Sequence, residues 1–275
     1  MALSEILLVL LLGVVEGVTE FLPVSSTGHL ILTEHFLEYS VDSTHFFDIF
    51  IQLGAILAVI CLYWRRFINL IPSSDEVFKD IVRKGEGING FVGLIKIALA
   101  CSSAFVLGFI LHDIIKEKLF APVPVAAALV AGGLVMWLVE RSHAERCGDE
   151  IEGVSYRQAF LIGLVQCLAL WPGVSRAGAT IIGGMLFGLS RKAAAEFSFL
   201  VAVPVMLAAT CYDFLKSYSG LTMISAQSYV LGFICSFITA IIAIKFMMAI
   251  ISRFSFIPFA IYRILLGILV LCLLF

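Results

Sequence analysis

Charged residues are scarce in this chain: they make up 14% of its 275 residues, whereas hydrophobic residues make up 61%. A soluble domain carries about 25% charged residues, so this composition and a mean hydropathy of +1.07 exclude an ordinary soluble protein. The chain also lacks an arginine-rich patch or an aromatic ladder for binding nucleic acid. The composition therefore predicts an all-α polytopic membrane protein, with a single integral membrane domain over residues 1–275.

The chain also lacks cysteines paired at metal-ligand spacing and basic residues near the start of the sequence. The seven cysteines are scattered and none are paired at metal-ligand spacing, so we expect neither a disulfide framework nor a zinc site. No lysine or arginine precedes Arg65, so the N-terminal apolar run lacks the charged start of a signal peptide. We therefore interpret that run as part of the membrane domain.

Six apolar runs are long enough to cross about 30 Å of hydrocarbon as helices. They are predicted at residues 46–64, 91–111, 121–139, 194–214, 227–250 and 256–274. Two more apolar stretches are broken by proline and glycine, which end a helix. Because backbone freed at membrane depth must be buried in protein or line a wet cavity, both stretches are predicted to be re-entrant helical hairpins, at residues 3–37 and 156–190.

The two hairpins are related to each other in sequence. At a constant offset of 150 residues, Ser25 and Gly28 correspond to Ser175 and Gly178. The sequence therefore predicts two repeats, at about 1–140 and about 150–275. If the repeats are inverted, their functional site lies near the midplane, where the broken helices meet.

The distribution of basic residues predicts the orientation. The loops on one side carry Arg65, Arg66, Lys79, Arg83, Lys84, Arg141, Arg146, Arg157, Arg191, Lys192 and Arg253, and the other side carries only Lys116, Lys118 and Lys216. The basic side is expected to be cytoplasmic. Both termini then face outward, and the two hairpins enter from opposite sides, which makes the repeat inverted.

The segment 16–29 combines carboxylates, hydroxyls and an imidazole inside an apolar region. Glu16 and Glu20 are four residues apart, so they share one face of a helix. Two such carboxylates repel unless a cation lies between them, and Mg²⁺ is usually held by one or two carboxylates together with substrate phosphates. We therefore predict a divalent-cation site, the alternative being that one glutamate caps a helix or pairs with an arginine.

Three hydroxyl residues and a histidine follow the glutamates. Ser25, Ser26 and Thr27 come at the start of the next helix, where such residues cap the N-terminus and free N–H groups bind anions. We interpret His29 as a general acid, a base or a nucleophile. The alternatives are plain helix capping by the hydroxyls and a histidine that is only hydrogen-bonded.

The second break carries an arginine at membrane depth. Arg176 follows Gly173 and Ser175, and its guanidinium matches phosphate oxygens bidentately. The alternative is a salt bridge from Arg176 to Glu16 or Glu20 with no ligand. Carboxylates, a cation and an arginine together predict a phosphorylated substrate, and the membrane setting predicts that a lipid carries the phosphate.

Other polar residues in the apolar segments are assigned simpler roles. Lys96, Lys245 and Arg263 lie near the ends of spans and are expected to extend toward the membrane surface. Gln52 and Gln166 are interpreted as polar lining of the site.

These motifs resemble a known family. Glu16-x-x-x-Glu20 with Pro23-Val24-Ser25-Ser26-Thr27-Gly28-His29, and Pro172-Gly173-Val174-Ser175-Arg176, are similar to the two signature motifs of the bacterial undecaprenyl-diphosphate phosphatases, the bacitracin-resistance family. The resemblance extends over nearly the whole chain in length, hydropathy and motif spacing. One departure is Ala177, where the family pattern often has a second serine, so no hydroxyl is expected to be essential there.

The resemblance implies hydrolysis of undecaprenyl diphosphate to undecaprenyl phosphate and inorganic phosphate at the plasma membrane of a bacterium. It implies recycling of the carrier lipid for peptidoglycan synthesis, and bacitracin resistance as a consequence. It also implies dependence on Mg²⁺ or Ca²⁺ and an active site open to the outer face, and it is compatible with a homodimer. A transporter or flippase of a phosphorylated lipid or anion is the alternative function, because inverted repeats with broken helices are common in transporters.

The resemblance also assigns roles to residues. The expected catalytic residues are Glu20, Ser26, His29 and Arg176; the expected substrate-binding residues are Ser25, Thr27, Gly28, Gly173, Ser175 and Thr180; the expected cation ligands are Glu16 and Glu20. The attacking group stays open between Ser26, His29 and water.

Overall fold

The computed structural model describes residues 3–37, 45–72, 87–143, 148–217, 226–251 and 254–275. Its helices are α1 (Leu3–Thr19), α2 (Ser26–Phe36), α3 (His45–Leu62), α4 (Trp64–Asn69), α5 (Gly90–Leu119), α6 (Pro122–His143), α7 (Tyr156–Gln166), α8 (Arg176–Leu186), α9 (Arg191–Ser217), α10 (Ala226–Ile251) and α11 (Ile257–Leu274). Short 3₁₀ segments, Ile151–Gly153 and Cys167–Leu170, flank α7. These described residues contain no strand, so the predicted all-α fold is confirmed.

Each predicted span corresponds to one helix. Five helices, α5, α6, α9, α10 and α11, are long and apolar enough to cross a membrane, and α3 contains a shorter apolar helix over Phe47–Leu62. Helix α5 continues to Leu119, beyond the predicted end at residue 111, because the helix extends past its apolar part. The protein is therefore a polytopic membrane protein, as predicted.

Helix α9 occupies the centre of the bundle. Within its apolar window, 61% of the residues are buried inside the protein, against 28% for α5 and for α11. It packs against α3 and α8, whereas α11 packs on α6, and α10 packs on α1 and α3. Close approach of α1 and α10 requires Gly17, because a Cβ there would lie 2.1 Å from Oγ1 of Thr239.

Both predicted helix breaks are present. Helix α1 ends at Thr19 and α2 begins at Ser26, whereas the 3₁₀ segment after α7 ends at Leu170 and α8 begins at Arg176. The members of each pair, α1 with α2 and α7 with α8, pack on each other, as expected of hairpins. Their entry from opposite sides of a membrane, and with it the inverted repeat, stays a prediction.

Ion pairs join helix ends on one side of the bundle. Arg66 Nη1 lies 2.6 Å from Glu152, and Arg191 Nε donates to Glu140 at 2.7 Å. Arg66 and Arg191 belong to the predicted cytoplasmic side. Other residues counted for that side lie outside the described residues: Lys79, Arg83, Lys84, Arg146 and Arg253.

The prediction that Arg263 extends toward the membrane surface is wrong, whereas Lys96 does extend toward the start of α5 but is covered by protein and does not reach the solvent. Lys96 is fully buried and donates to the carbonyl of Gly87 at 2.6 Å, and Arg263 is 1% exposed. Neighbouring segments cover both side chains, which position along one helix does not reveal. Lys245, by contrast, is exposed.

Candidate active site

A cavity of about 200 Å³ lies where the two breaks meet α9. Among the predicted site residues, those that line it are Glu20, Ser25, Ser26, Thr27, Gly173, Ser175 and Arg176. Gln52 and Gln166 also line the cavity, as predicted. The fold therefore brings the central residues of both motifs to one place.

Glu20 and Ser26 form the acidic side of the cavity. Ser26, the first residue of α2, donates its hydroxyl hydrogen to Oε2 of Glu20, and both side chains are buried. A hydrogen bond to a carboxylate is stronger than one between neutral groups. Such an arrangement suits proton transfer from a hydroxyl to a carboxylate, and the catalytic roles of Ser26 and Glu20 stay predictions.

Arg176 connects the second break to the same carboxylate. Its Nη2 donates to Oε1 of Glu20 at 2.9 Å, its Nη1 donates to the carbonyl of Ser198 at 3.3 Å, and its guanidinium lies 5.5 Å from the centre of the Phe21 ring. The salt bridge considered as an alternative is thus present. It balances two charges that would be costly to bury alone, and an anion entering the cavity would compete with Glu20 for the guanidinium.

Two helix N-termini begin at the cavity. Ser25 accepts a hydrogen bond from the N–H of Gly28 at 3.3 Å, and Ser175 accepts one from the N–H of Gly178 at 3.0 Å. Both serines therefore cap helices. Helix capping is the alternative role considered for the hydroxyl residues of the first break, including Ser25. The N-terminus of a helix carries partial positive charge and favours anions, so capping and anion binding are compatible roles here.

Glu16 lies one helical turn before Glu20, and it does not line the cavity. It is 1% exposed, and its Oε1 has no hydrogen-bond partner. Within the described residues, no group of three or more histidine, cysteine, aspartate or glutamate side chains could hold a metal. A divalent cation at Glu16 and Glu20 would need substrate phosphate oxygens as further ligands, as is typical of Mg²⁺, and both oxygens of Glu20 already have partners, Ser26 and Arg176. The cation site stays a prediction.

His29 faces away from the cavity, toward α11. Its Nδ1 lies 2.7 Å from the carbonyl oxygen of Ser25, and its Nε2 lies 2.7 Å from the hydroxyl of Tyr262. A carbonyl only accepts, so Nδ1 carries a proton, and in the neutral ring Nε2 accepts from Tyr262. Neither nitrogen is directed at Ser26 in this arrangement, and the catalytic role of His29 stays a prediction.

Thr180 and Gly28 do not line the cavity, but they contact residues that do. Oγ1 of Thr180 lies 2.9 Å from the carbonyl of Arg176 and 2.7 Å from the hydroxyl of Ser198, which in turn contacts Arg176. Gly28 lies against the second break, since a Cβ there would be 3.3 Å from Cα of Gly173. Direct contact of Thr180 or Gly28 with substrate stays a prediction.

Sequence reasoning missed two residues of α11 that contact the breaks. Tyr262 bonds His29, and Arg263 donates to carbonyls of both breaks, including those of Pro23 and Gly173. The available signal was an arginine in an apolar helix, because intramembrane charges are usually functional.

An apolar groove of about 460 Å³ continues from the cavity between α5 and α9. Thr27 and Pro172 line both spaces. The groove walls include aromatic and aliphatic side chains such as Phe105, and its far end carries polar residues including Lys116 and Asp213, whose charged groups lie 3.1 Å apart. The site is therefore polar at the breaks and apolar along its extension.

These features define a polytopic helical membrane protein with a polar cavity between two broken helices. A family model described as bacitracin resistance protein BacA matches residues 9–269. The chain therefore belongs to the bacitracin resistance protein BacA family, which is an undecaprenyl pyrophosphate phosphatase family. The family resemblance predicted from the two motifs is confirmed.

Proposed function

We propose that this protein hydrolyses undecaprenyl diphosphate to undecaprenyl phosphate and inorganic phosphate. The observation that carries the proposal is the Ser26–Glu20–Arg176 arrangement in one cavity, where a hydroxyl, a carboxylate and a guanidinium are connected by hydrogen bonds. The family membership supports the same reaction. Recycling of the carrier lipid for peptidoglycan synthesis, and bacitracin resistance, follow as its biological roles.

In the proposed reaction, the hydroxyl oxygen of Ser26 attacks the terminal phosphorus while its proton passes to Glu20. The bond between this phosphorus and the bridging oxygen breaks, and undecaprenyl phosphate leaves. Water then attacks the phosphorus of the phosphoserine, the bond between phosphorus and the serine oxygen breaks, and Glu20 returns its proton to that oxygen. Inorganic phosphate is released with the oxygen and protons of the water, and Ser26 and Glu20 are restored. Arg176 binds the phosphate oxygens and stabilises the charge that develops on them.

Ser26 is favoured over His29 as the nucleophile by their contacts. Ser26 is bonded to a carboxylate that lines the cavity, whereas both ring nitrogens of His29 already have partners, the carbonyl of Ser25 and the hydroxyl of Tyr262. A trapped phosphopeptide identified by mass spectrometry tests this step. Phosphate on Ser26 supports it, and phosphate on His29 contradicts it.

A divalent cation, Mg²⁺ or Ca²⁺, is part of the proposal. Glu16 and Glu20 would hold it, and the unpartnered Oε1 of Glu16 supports this assignment. When bound, such a cation supplies positive charge that neutralises the phosphates. Substrate phosphate oxygens are needed to complete its coordination.

The apolar groove beside the cavity supports a lipid as the substrate. It offers apolar walls next to the polar cavity, which suits a molecule with a phosphate head and a hydrocarbon chain. The groove also ends near Lys116, on the side that charge distribution predicts to be external. We therefore place the protein in the bacterial plasma membrane, with both termini outside and the active site open to the outer face.

The test is release of inorganic phosphate from undecaprenyl diphosphate by the purified protein in detergent, with Mg²⁺ and with EDTA. Release that depends on the metal is the expected result, with Ser26→Ala as the inactive variant and Ser142→Ala, at the far end of α6, as the matched control. No release by folded protein under either condition contradicts the proposal.

A transporter or flippase is the second candidate function, because two broken helices meet at the buried cavity. Phosphate release separates the two candidates, since a pure carrier moves its cargo unchanged. Transport of labelled lipid across vesicles without phosphate release would favour the second candidate.

A further inference from the structure

Arg263 lies in the apolar helix α11 and is almost completely buried, with 1% of its surface exposed. Its guanidinium donates to carbonyls of both breaks: Nη1 to Pro23 at 3.1 Å, and Nη2 to Gly173 and Val174, each at 2.9 Å. A longer contact, at 3.4 Å, reaches the carbonyl of Ala128 on α6. One side chain therefore joins the two breaks and a neighbouring helix.

The bonding of Arg263 differs from that of the other buried arginine. Arg176 is paired with Glu20, whereas none of the described carboxylates lies within ion-pair distance of Arg263. A buried charge is costly unless it is hydrogen-bonded, and here backbone carbonyls are the partners of Nη1 and Nη2, while Nε has no hydrogen-bond partner. Such a cost is expected where the charge organises a functional site.

The surrounding helices leave room for the guanidinium. A Cβ at Gly132 of α6 would lie 2.1 Å from Nη2, and one at Gly178 of α8 would lie 3.0 Å from Nη1. The space is therefore matched to an arginine, and a methyl group at either position would displace it.

The bonds determine how the peptides of the breaks are oriented. In a trans peptide the N–H points away from the carbonyl. Because the carbonyl of Val174 is held by Arg263, the N–H of Ser175 is directed away from Arg263, and Ser175 lines the cavity. The carbonyls of Pro23 and Gly173 are also held by Arg263, whereas the N–H groups of these two peptides, on Val24 and Val174, donate to Leu22 and Trp171 within their own breaks. A carbonyl oxygen held by Arg263 is not available to repel phosphate in the cavity.

We propose that Arg263 is a positioning residue of the phosphatase site, which holds both helix breaks so that the carbonyls of Pro23, Gly173 and Val174 face away from the phosphates and the N–H of Ser175 is left toward the cavity. It acts through the backbone and does not touch the substrate. This inference rests on the proposed phosphatase function for its kinetic effect, but its effect on the backbone of the two breaks is independent of that function.

The test uses Arg263→Lys, which keeps the positive charge but cannot donate to carbonyls of both breaks. The matched control is Arg141→Lys, at an exposed arginine that lies over the Trp137 ring. For Arg263→Lys we expect kcat to fall about 10²-fold, the range seen when one preorganised donor is removed, with KM changed less than threefold. A role in helix packing alone would lower the melting temperature and leave kcat of the folded fraction unchanged.

Hydrogen–deuterium exchange supplies a readout without activity. In Arg263→Lys, the backbone amides of residues 24–28 and of residues 174–178 should both exchange faster than in wild type. Inorganic phosphate should protect these amides in wild type and no longer protect them in the variant. Unchanged exchange in both breaks overturns the inference, as does wild-type kcat. If wild-type protein releases no phosphate, the proposed function fails, and exchange still tests the positioning role.

Gly132→Ala is the second variant, in case Arg263→Lys does not fold. The added methyl group displaces the guanidinium without removing its charge, so faster exchange in both breaks is again expected, with a smaller loss of kcat. Normal exchange and normal kcat in Gly132→Ala would contradict the inference.

Discussion

The two helix breaks share the same backbone feature at their capping serines. Ser25 and Ser175 both adopt positive φ angles, 74° and 76°, and these are the only residues other than glycine that do so among those described. In each break the serine accepts a hydrogen bond from the glycine three residues later, Gly28 or Gly178. A positive φ strains a residue with a side chain, and the same strain occurs at positions 150 residues apart.

The two breaks carry different functional side chains. The residue after the cap is Ser26 in the first break and Arg176 in the second, and the fourth is His29 in the first and Ala179 in the second. The first break thus supplies the hydroxyl of Ser26 and lies beside Glu20, and the second supplies the guanidinium of Arg176. The comparison shows that the same capped serine can be followed by a hydroxyl group in one break and by a guanidinium in the other, both lining one cavity.

The largest expected effect comes from Glu20→Gln, which removes the carboxylate shared by the two breaks. We expect turnover to fall about 10³-fold, because general-base catalysis contributes about 10²–10⁴-fold, and dependence on Mg²⁺ to weaken. Phosphate release over a range of Mg²⁺ concentrations measures both. The exposed Glu117→Gln serves as the control, and wild-type turnover in Glu20→Gln would show that the two breaks do not work through this residue.

Arg176→Lys changes only the cationic break. Lysine keeps the charge but loses the planar pair of donors, one of which binds Glu20 while the other reaches Ser198. We expect kcat/KM to fall about 10²-fold, the range for loss of one preorganised donor. Steady-state kinetics beside Arg157→Lys, an exposed arginine, would detect this, and equal kinetics in both variants would argue against bidentate binding of phosphate.

The caps test whether the two backbones are equivalent. Ser25→Ala and Ser175→Ala should each lower the free energy of unfolding by about 0.5–2 kcal/mol, because each loses its hydrogen bond to the glycine N–H. Ser25→Gly and Ser175→Gly should cost only a few tenths of a kcal/mol, since glycine adopts positive φ without strain. Denaturation in detergent measures all four. Unequal losses of the free energy of unfolding at Ser25 and Ser175 would show that the two caps are not equivalent.

The smallest effect is expected at the ion pair between Arg66 and Glu152, an exposed counterpart of the pair between Arg176 and Glu20. The hydrogen bond from Arg66 lowers the pKa of Glu152, so the pair stabilises the protein above the unfolded pKa of glutamate and loses this effect as the pH falls through the folded pKa. Glu152 is 53% exposed, so its contribution should be about 0.2–1 kcal/mol.

Melting temperatures of wild type and Glu152→Gln measure this contribution. The two proteins should differ slightly at pH 7, and the difference should shrink as the pH falls through the folded-state pKa of Glu152, which lies below the ordinary value of glutamate. If the two melting temperatures still differ by the same amount at pH 3, the effect of Glu152 on stability does not come from its charge.

The helices and the breaks could be predicted because each has a local cause. Apolar runs in α5, α6, α9, α10 and α11 must be long to cross hydrocarbon, and proline and glycine end the helices before Ser26 and Arg176. The association of Glu20, Ser26 and Arg176 could also be predicted, because isolated charges at membrane depth need partners.

The roles of Lys96, Tyr262 and Arg263 could not be predicted in this way. Each depends on which segment covers the side chain, and that segment is distant in sequence: Arg263 bonds Pro23, which precedes it by 240 residues. Periodicity along α11 places Arg263 in an apolar helix, but does not distinguish a lipid-facing position from one that faces two helix breaks.

A polytopic membrane protein with two broken helices follows from the amino-acid sequence alone, because hydrocarbon admits few backbone arrangements and the composition of the chain matches them. The chemical groups of the site also follow from the sequence, since they are read directly from the motifs. Three features depend instead on the packing of the helices: Ser26 bonds Glu20, His29 bonds Tyr262, and Arg263 bonds carbonyls of both breaks. The reason is physical: a buried polar side chain takes whichever partner the packing of distant helices brings within hydrogen-bond distance.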